Sequence, residues 1–179
     1  MAPLTLAVSL AFACSKPEDH AVLPPAIPPA APPASPPASA AGLAPGVTFV
    51  LADGFRLSLA SLKGKVVAVV FCPAIDAPGC TRESHGLTRR WRELEEHHVT
   101  AVGVVPADTA QYRAAVERQD TPFDFVADVD GQLSHAFRVS MHDADPTLFL
   151  VGRDGTIRAV WRTADPDTHA RELIAAAQR

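Results

Sequence analysis

Three cysteines occur in the 179 residues, at positions 14, 72 and 80. Cys72 and Cys80 bracket the loop Cys72-Pro73-Ala74-Ile75-Asp76-Ala77-Pro78-Gly79-Cys80. It follows the apolar run Val66–Phe71 and precedes a stretch of helical spacing that starts at about Thr81. A sulfur at a helix N-terminus meets orphan N–H groups and the positive end of the macrodipole. Both favour its thiolate and lower its pKa from about 8.5. Thiolates attack peroxides and disulfides, so Cys80 is the candidate nucleophile. Pro78-Gly79 lets the backbone turn sharply next to the sulfur. Arg82, Arg89 and Arg90 add positive potential, while Asp76 and Glu83 oppose it.

The elements that must position this loop are legible in the hydrophobic pattern. Val66-Val67-Ala68-Val69-Val70-Phe71 reads as a strand buried on both faces, as does Thr100–Val105. Val47–Val50 and Phe55–Leu59 read as a hairpin closed by Asp53-Gly54, followed by a helical turn between Ser58 and Gly64. The segment from Thr81 to His98 has helical spacing, with Leu87, Trp91 and Leu94 on one side. Thr109–Gln119 and Gln132–Phe137 are predicted helices, with a short strand at Phe123–Val126 between them. A hairpin of Thr147–Val151 and Ile157–Trp161 and a helix from about Asp167 to Ala177 close the chain. This order implies an α/β fold with a mixed, partly parallel sheet covered on both faces. Ligands of such folds bind beyond the carboxyl ends of the parallel strands, which is where Phe71 hands over to the cysteine loop.

The first 46 residues are of another kind. Met1–Ala13 is an almost uncharged apolar run ending at Cys14 and halted by Ser15-Lys16-Pro17-Glu18-Asp19. It is shorter than the roughly 20 apolar residues that span a bilayer, and suits the hydrophobic stretch of an export signal. A small residue before a cysteine resembles the bacterial lipoprotein signal, which implies lipidation of Cys14 and attachment to the membrane surface. The run lacks a preceding Lys or Arg, and Ala11 stands where those signals usually have Leu. From Val22 to Gly46 the chain is Pro and Ala with scattered Ser. Such a stretch reads as an extended spacer of roughly 75 Å at about 3.1 Å per residue. The expected organisation is a signal-like segment at 1–14, a disordered linker at 15–46 and one domain at 47–179. The expected location is the cell envelope or outside the cell.

A net charge of -4 gives no basic face for nucleic acid. No C-x-x-C pair occurs, and the histidines, including His97-His98, do not space as a metal set. Neither a metal nor another cofactor is expected.

The motifs taken together resemble the peroxiredoxins, most closely the bacterioferritin-comigratory or PrxQ branch. Gly64-Lys65 leads into the Val66–Phe71 strand, and Pro73 to Thr81 with Glu83 follows the branch's Pro-x-x-x-Thr-Pro-Gly-Cys-Thr-x-Glu loop. The likeness continues through Gly103–Pro106, Pro122-Phe123, Asp128-x-Asp130-Gly131, Phe149–Val151, Asp154-Gly155-x-Ile157 and Val160–Arg162. It implies a thioredoxin-like three-layer sandwich and a thiol peroxidase that reduces hydrogen peroxide or organic hydroperoxides. Cys80 is then the peroxidatic residue, with Pro73, Thr81 and Glu83 around it.

Two positions depart from that pattern. The family's Thr, which bonds the reactive sulfur, falls at Ala77, and its Arg, which holds the thiolate ionised, falls at Pro146. Loss of one such donor typically costs about 2.7–4 kcal/mol of transition-state stabilisation. Arg138 is a candidate substitute. Pro146-Thr147 itself resembles the cis-Pro-Thr segment of thioredoxins, which makes Pro146 a candidate cis-proline facing Cys80. The sulfenic acid left on Cys80 by a peroxide must be reduced by a second thiol. Five residues on, where PrxQ proteins often carry that thiol, this chain has His85. Cys72 ends a buried strand and reads first as a small core residue, with a resolving role as the alternative. Bridging it to Cys80 requires loop movement. The default is a one-cysteine mechanism served by an external thiol or thioredoxin-like reductant. Two other readings stay open: an envelope thiol–disulfide oxidoreductase, and a non-catalytic domain that keeps the fold.

Overall fold

A computed structural model describes residues 42–51, 53–106, 112 and 120–179. Backbone contacts divide the chain into residues 1–32 and 33–179, and every described residue lies in the second unit. The segment expected to be an export signal, the expected lipidation site Cys14, most of the expected spacer and nearly all of the helix expected over Thr109–Gln119 lie outside the described residues.

Strands β1 (Gly42–Leu43), β4 (Val66–Phe71), β5 (Val99–Val105), β6 (Asp124–Ala127), β7 (Thr147–Val151) and β8 (Thr156–Trp161) form one mixed sheet. Their spatial order is β1-β8-β7-β4-β5-β6. The β4–β5 and β5–β6 pairs are parallel, while β7 pairs antiparallel with both β4 and β8. Strands β2 (Thr48–Val50) and β3 (Arg56–Ser58) form the expected hairpin as a separate two-stranded sheet, followed by a 3-10 turn at Leu59–Leu62. The fold starts before Val47: Gly42 and Leu43 pair with Ile157 and Thr156 at the sheet edge. They lie in the stretch read as linker, because a two-residue edge strand leaves no periodic signal.

The run at 66–71 shows why the sheet is buried on both sides. Val66, Ala68 and Val70 point into one core, and Val67, Val69 and Phe71 into the other, following the period-2 alternation of a strand. Helices α1 (Pro78–Arg89), α2 (Trp91–Glu96) and α4 (Pro166–Ala177) cover the first core. Helix α3 (Gln132–Phe137) contributes Phe137 to the second. This is the thioredoxin-like three-layer sandwich.

The helical stretch from Thr81 to His98 is two helices. It begins at Pro78, which fits the first helical position because proline's missing donor would be an orphan there anyway. It breaks at Arg90, whose side chain pairs with Glu93 at 2.6 Å. Helices α1 and α4 pack closely at Gly86, where a Cβ would stand 2.0 Å from Pro166 Cβ. The Asp128-x-Asp130-Gly131 motif has a local cause. Asp128, buried, accepts from the backbone N–H groups of Leu133 and Ser134 and so caps α3, with Gly131 at φ 68.

Candidate active site

The cysteine loop leaves the end of β4, and its far end is the first turn of α1. Pro78 and Gly79 precede Cys80 in that turn, so Cys80 occupies the third helical position, among the N–H groups that lack intrahelical partners. Ala77 is the N-cap and supplies no side-chain bond to those groups.

Cys72 and Cys80 are joined in a disulfide, with Cα atoms 5.6 Å apart. That is within the usual range for such bridges, so the loop as folded needs no movement to bring the sulfurs together. Cys72 is thus more than a core filler. Its N–H donates to Val104 O at 2.8 Å, which fixes the residue one step beyond the last β4 pair. Both cysteines are 0% exposed. The disulfide belongs, with Ile75, to the core that α1 and α4 share with the sheet, and the half-buried Ala77 packs against that core. Pro73 and Thr81 are half-buried at the two ends of this loop, while Asp76 and Pro78 are exposed.

Pro146 closes the loop from the other side. A Cβ on Gly79 would stand 2.8 Å from Pro146 Cδ, which is why only glycine fits before Cys80. Among the described residues no peptide bond is cis, so the cis bond expected before Pro146 is not formed. Pro146 is a trans proline just ahead of β7, where a residue with no N–H loses no ladder bond.

Glu83 sits one turn after Cys80 on the same buried side of α1 and is itself 0% exposed. Its Oε1 shares a hydrogen bond of 2.8 Å with Nδ1 of His169, a buried residue of α4. Its Oε2 has no hydrogen-bond partner among the described residues. Burial pushes the Glu83 carboxyl up; the bond to His169 opposes this, and the nearby Asp165 and Asp167 reinforce it. The His169 ring packs on Trp161, centroids 4.7 Å apart. Strand register brings these groups to one end of the sheet, since Phe71 lies opposite Thr147 and Leu148 opposite Trp161.

Residues 42–160 match the family model described as the AhpC/TSA family. The chain belongs to the AhpC/TSA family. A peroxiredoxin bcp of Coxiella burnetii is 29% identical over 140 residues, which are 73% of this chain and 93% of that one. A chloroplastic peroxiredoxin Q of Suaeda salsa is 25% identical over 137 residues, 74% of this chain and 64% of the plant protein. Among solved structures, peroxidoxin BcpB of Mycobacterium tuberculosis superposes with a TM-score of 0.67 at 20% identity, covering 78% of this chain and 96% of that one. A thiol:disulfide interchange protein DsbE from Chlorobium tepidum gives 0.68 at 21% identity, covering 78% and 97%. These two likenesses show the shared thioredoxin-like fold.

At the two positions expected to depart from the peroxiredoxin motifs, Ala77 offers no hydroxyl at the helix start, and Pro146 sets its ring against Gly79. Arg138 does not take over. It is exposed, follows α3, and lines a groove with Leu43, Phe149, Val160 and Arg162 on the opposite side of the sheet. Arg82 is exposed on α1, and Arg90 is neutralised by Glu93. Sequence reasoning missed His169 altogether, since it lies 86 residues from Glu83 and only the packing of α1 on α4 brings them together.

Proposed function

We propose that this protein is a thiol-dependent peroxidase of the peroxiredoxin type, in which Cys80 attacks a peroxide and Cys72 resolves the product. The observation that carries the two-thiol reading is the Cys72–Cys80 disulfide, which joins the end of β4 to the first turn of α1 inside the stretch that matches the AhpC/TSA family. The Cys80 thiolate attacks one oxygen of hydrogen peroxide or an alkyl hydroperoxide. The O–O bond breaks, the leaving oxygen takes a proton to become water or an alcohol, and Cys80 carries a sulfenic acid. The Cys72 thiol then displaces that hydroxyl as water, forming the disulfide. An external dithiol returns both cysteines to thiols by exchange and leaves as its own disulfide. No cofactor enters any step.

Both sulfurs are sealed, so peroxide and reductant reach them only when the loop from Pro73 to Cys80 opens. The first turn of α1 suits this because its N-cap offers no side-chain bond that would hold it shut. Pro73, Thr81 and Glu83 frame the loop, and Pro146, just ahead of β7, packs on it at Gly79.

The N-terminal segment is read as an export signal with Cys14 as a lipidated anchor. The Pro/Ala-rich stretch between Cys14 and β1 then acts as a spacer that holds the domain, from Gly42 onward, clear of a membrane in the cell envelope. Labelling with a fatty-acid analogue tests this part, since incorporation should vanish in Cys14→Ser. Label retained in that variant would refute the anchor.

The activity is tested with the full chain, peroxide and dithiothreitol, following peroxide loss. Turnover should disappear in Cys80→Ser. Cys72→Ser should turn over only with a monothiol or dithiol that reaches the sulfenic acid directly. Equal rates with and without the Cys80 sulfur would refute the proposal.

A further inference from the structure

The peroxidase reading leaves one buried group unused. Glu83 Oε2 is enclosed, has no hydrogen bond among the described residues, and belongs to the residue one helical turn beyond Cys80. Side chains three apart on a helix are neighbours, with Cβ atoms about 5–6 Å apart. In the disulfide the Cys80 sulfur has no proton to donate. Once the bridge is reduced, an S–H group appears on the same buried face of α1 as an oxygen that has no donor among the described residues. Meanwhile Oε1 is held by His169 Nδ1, and the ring of His169 is held by Trp161.

We propose that Glu83 and His169 are the proton-exchange pair of this redox centre. Glu83 Oε2 takes the Cys80 thiol proton, and His169 is the positioning residue that holds the carboxyl through Oε1. The proposal rests on the peroxidase reading for its substrate. In the reduced protein the proton leaves the Cys80 sulfur for Oε2, giving a thiolate and a neutral carboxyl. The thiolate attacks the peroxide, the O–O bond breaks, and the departing oxygen takes the proton from Glu83. The carboxylate is restored, and the net change is thiol plus hydroperoxide to sulfenic acid plus alcohol. A carboxyl whose pKa burial has raised exchanges protons nearer neutral pH than an exposed one would. The pair fills a gap left by this chain's Ala77 and Pro146, which supply no hydroxyl or guanidinium to the sulfur.

Among the described residues the charged surroundings of Glu83 are few. His169 faces it from α4, and Asp165 and Asp167 at the start of that helix act on it through space. Trp161 of β8 offers only its ring, and Cys72 and Cys80 are the titrating groups across the loop once reduced. Arg82 and His85, on α1 itself, are exposed on the outward side, as is Asp76 in the loop.

The test is the rate of Cys80 alkylation by iodoacetamide against pH, in the reduced full chain carrying Cys14→Ser and Cys72→Ser. Two groups that share a proton titrate in two macroscopic steps. The parent should therefore show a two-step profile, and Glu83→Gln a single step. His169→Phe, which leaves the buried carboxylate without a donor, should move the carboxyl step to higher pH. His169→Gln, whose amide can still donate to Oε1, should return it toward the parent position. A merely structural pair would alter stability and leave the number of steps unchanged. A single-step parent profile overturns the proposal even if no variant folds. So does a two-step profile that survives in folded Glu83→Gln. A second readout needs no variant that might misfold: the infrared difference spectrum of wild type, reduced minus oxidised. It should contain a carboxyl C=O band, and its absence overturns the proposal. No peroxide enters either experiment. A two-step profile without peroxide turnover would therefore sink the peroxidase reading alone, and a single-step profile with normal turnover would sink the proton pair alone.

Discussion

On one side of the central sheet, Phe71, Phe137 and Phe149 pack ring against ring, with centroids 4.9–5.7 Å apart. Around them lie valines, leucines and Phe49. On the other side, the core under α1 and α4 is interrupted by a disulfide, a buried carboxyl and a buried imidazole. The two faces belong to the same strands and alternate residue by residue, so position in the chain does not separate them. Chemistry does. The aromatic face gains stability from area and shape alone. The cysteine face buries polar groups that cost free energy unless partnered, and one of them, Glu83 Oε2, has no partner among the described residues. A molecule selected only for stability would fill that place with hydrocarbon, so the departure marks where function was built.

The comparison breaks most readily on the aromatic side. Phe149→Ala removes a ring that touches both Phe71 and Phe137, and should lower stability by about 3–5 kcal/mol. Denaturant unfolding measures this. Alkylation of reduced Cys80 should keep its pH profile in the folded fraction, since the ring lies across the sheet. A changed profile would show that the two faces are coupled.

The next effect is a dependence on pH. The folded-state pKa of Glu83 is raised, so the folded protein binds this proton more tightly than the unfolded chain. Its contribution is fully present below the ordinary value of 4.5 and is lost as pH rises toward the folded value. Relative to wild type, Glu83→Gln should therefore grow more stable as pH increases from 4.5, with the difference levelling above the folded pKa. Unfolding free energies at a series of pH values check the slope. A difference that is flat with pH would contradict the burial argument.

The smallest effect is at the helix start. Ala77→Thr offers a hydroxyl to the uncapped first turn of α1, for a gain of about 1 kcal/mol and a Tm rise of about 3 °C. The same closure should slow reduction of the disulfide by dithiothreitol. Faster reduction in this variant would mean that loop opening does not limit access.

How far the sequence reached varies with the kind of feature. The strands at 66–71, 99–105 and 147–151 are runs of apolar and β-branched residues and were readable as such. The place of Cys80 at a helix start also followed from pattern, because a glycine-bearing turn separates a strand from a helical repeat. The start of α1 lay three residues earlier than expected, although proline at the first position is itself a signal. Cys72 could not be assigned from pattern, because whether two thiols eight residues apart meet depends on the path of the loop. The peptide bond at Pro146 turned out trans, as local sequence rarely fixes that choice. The Glu83–His169 bond was invisible for a simpler reason: it exists only where two distant helices touch at Gly86 and Pro166.

The central claim is that Cys80 and Cys72 act in sequence on one peroxide. The most direct measurement is a single turnover. The reduced full chain receives one equivalent of hydrogen peroxide, is quenched with an alkylating agent and is mapped by mass spectrometry. The account predicts conversion to the Cys72–Cys80 disulfide, and a Cys80 sulfenic acid that accumulates in Cys72→Ser. Peroxide left unconsumed, or consumed equally by Cys80→Ser, would contradict it.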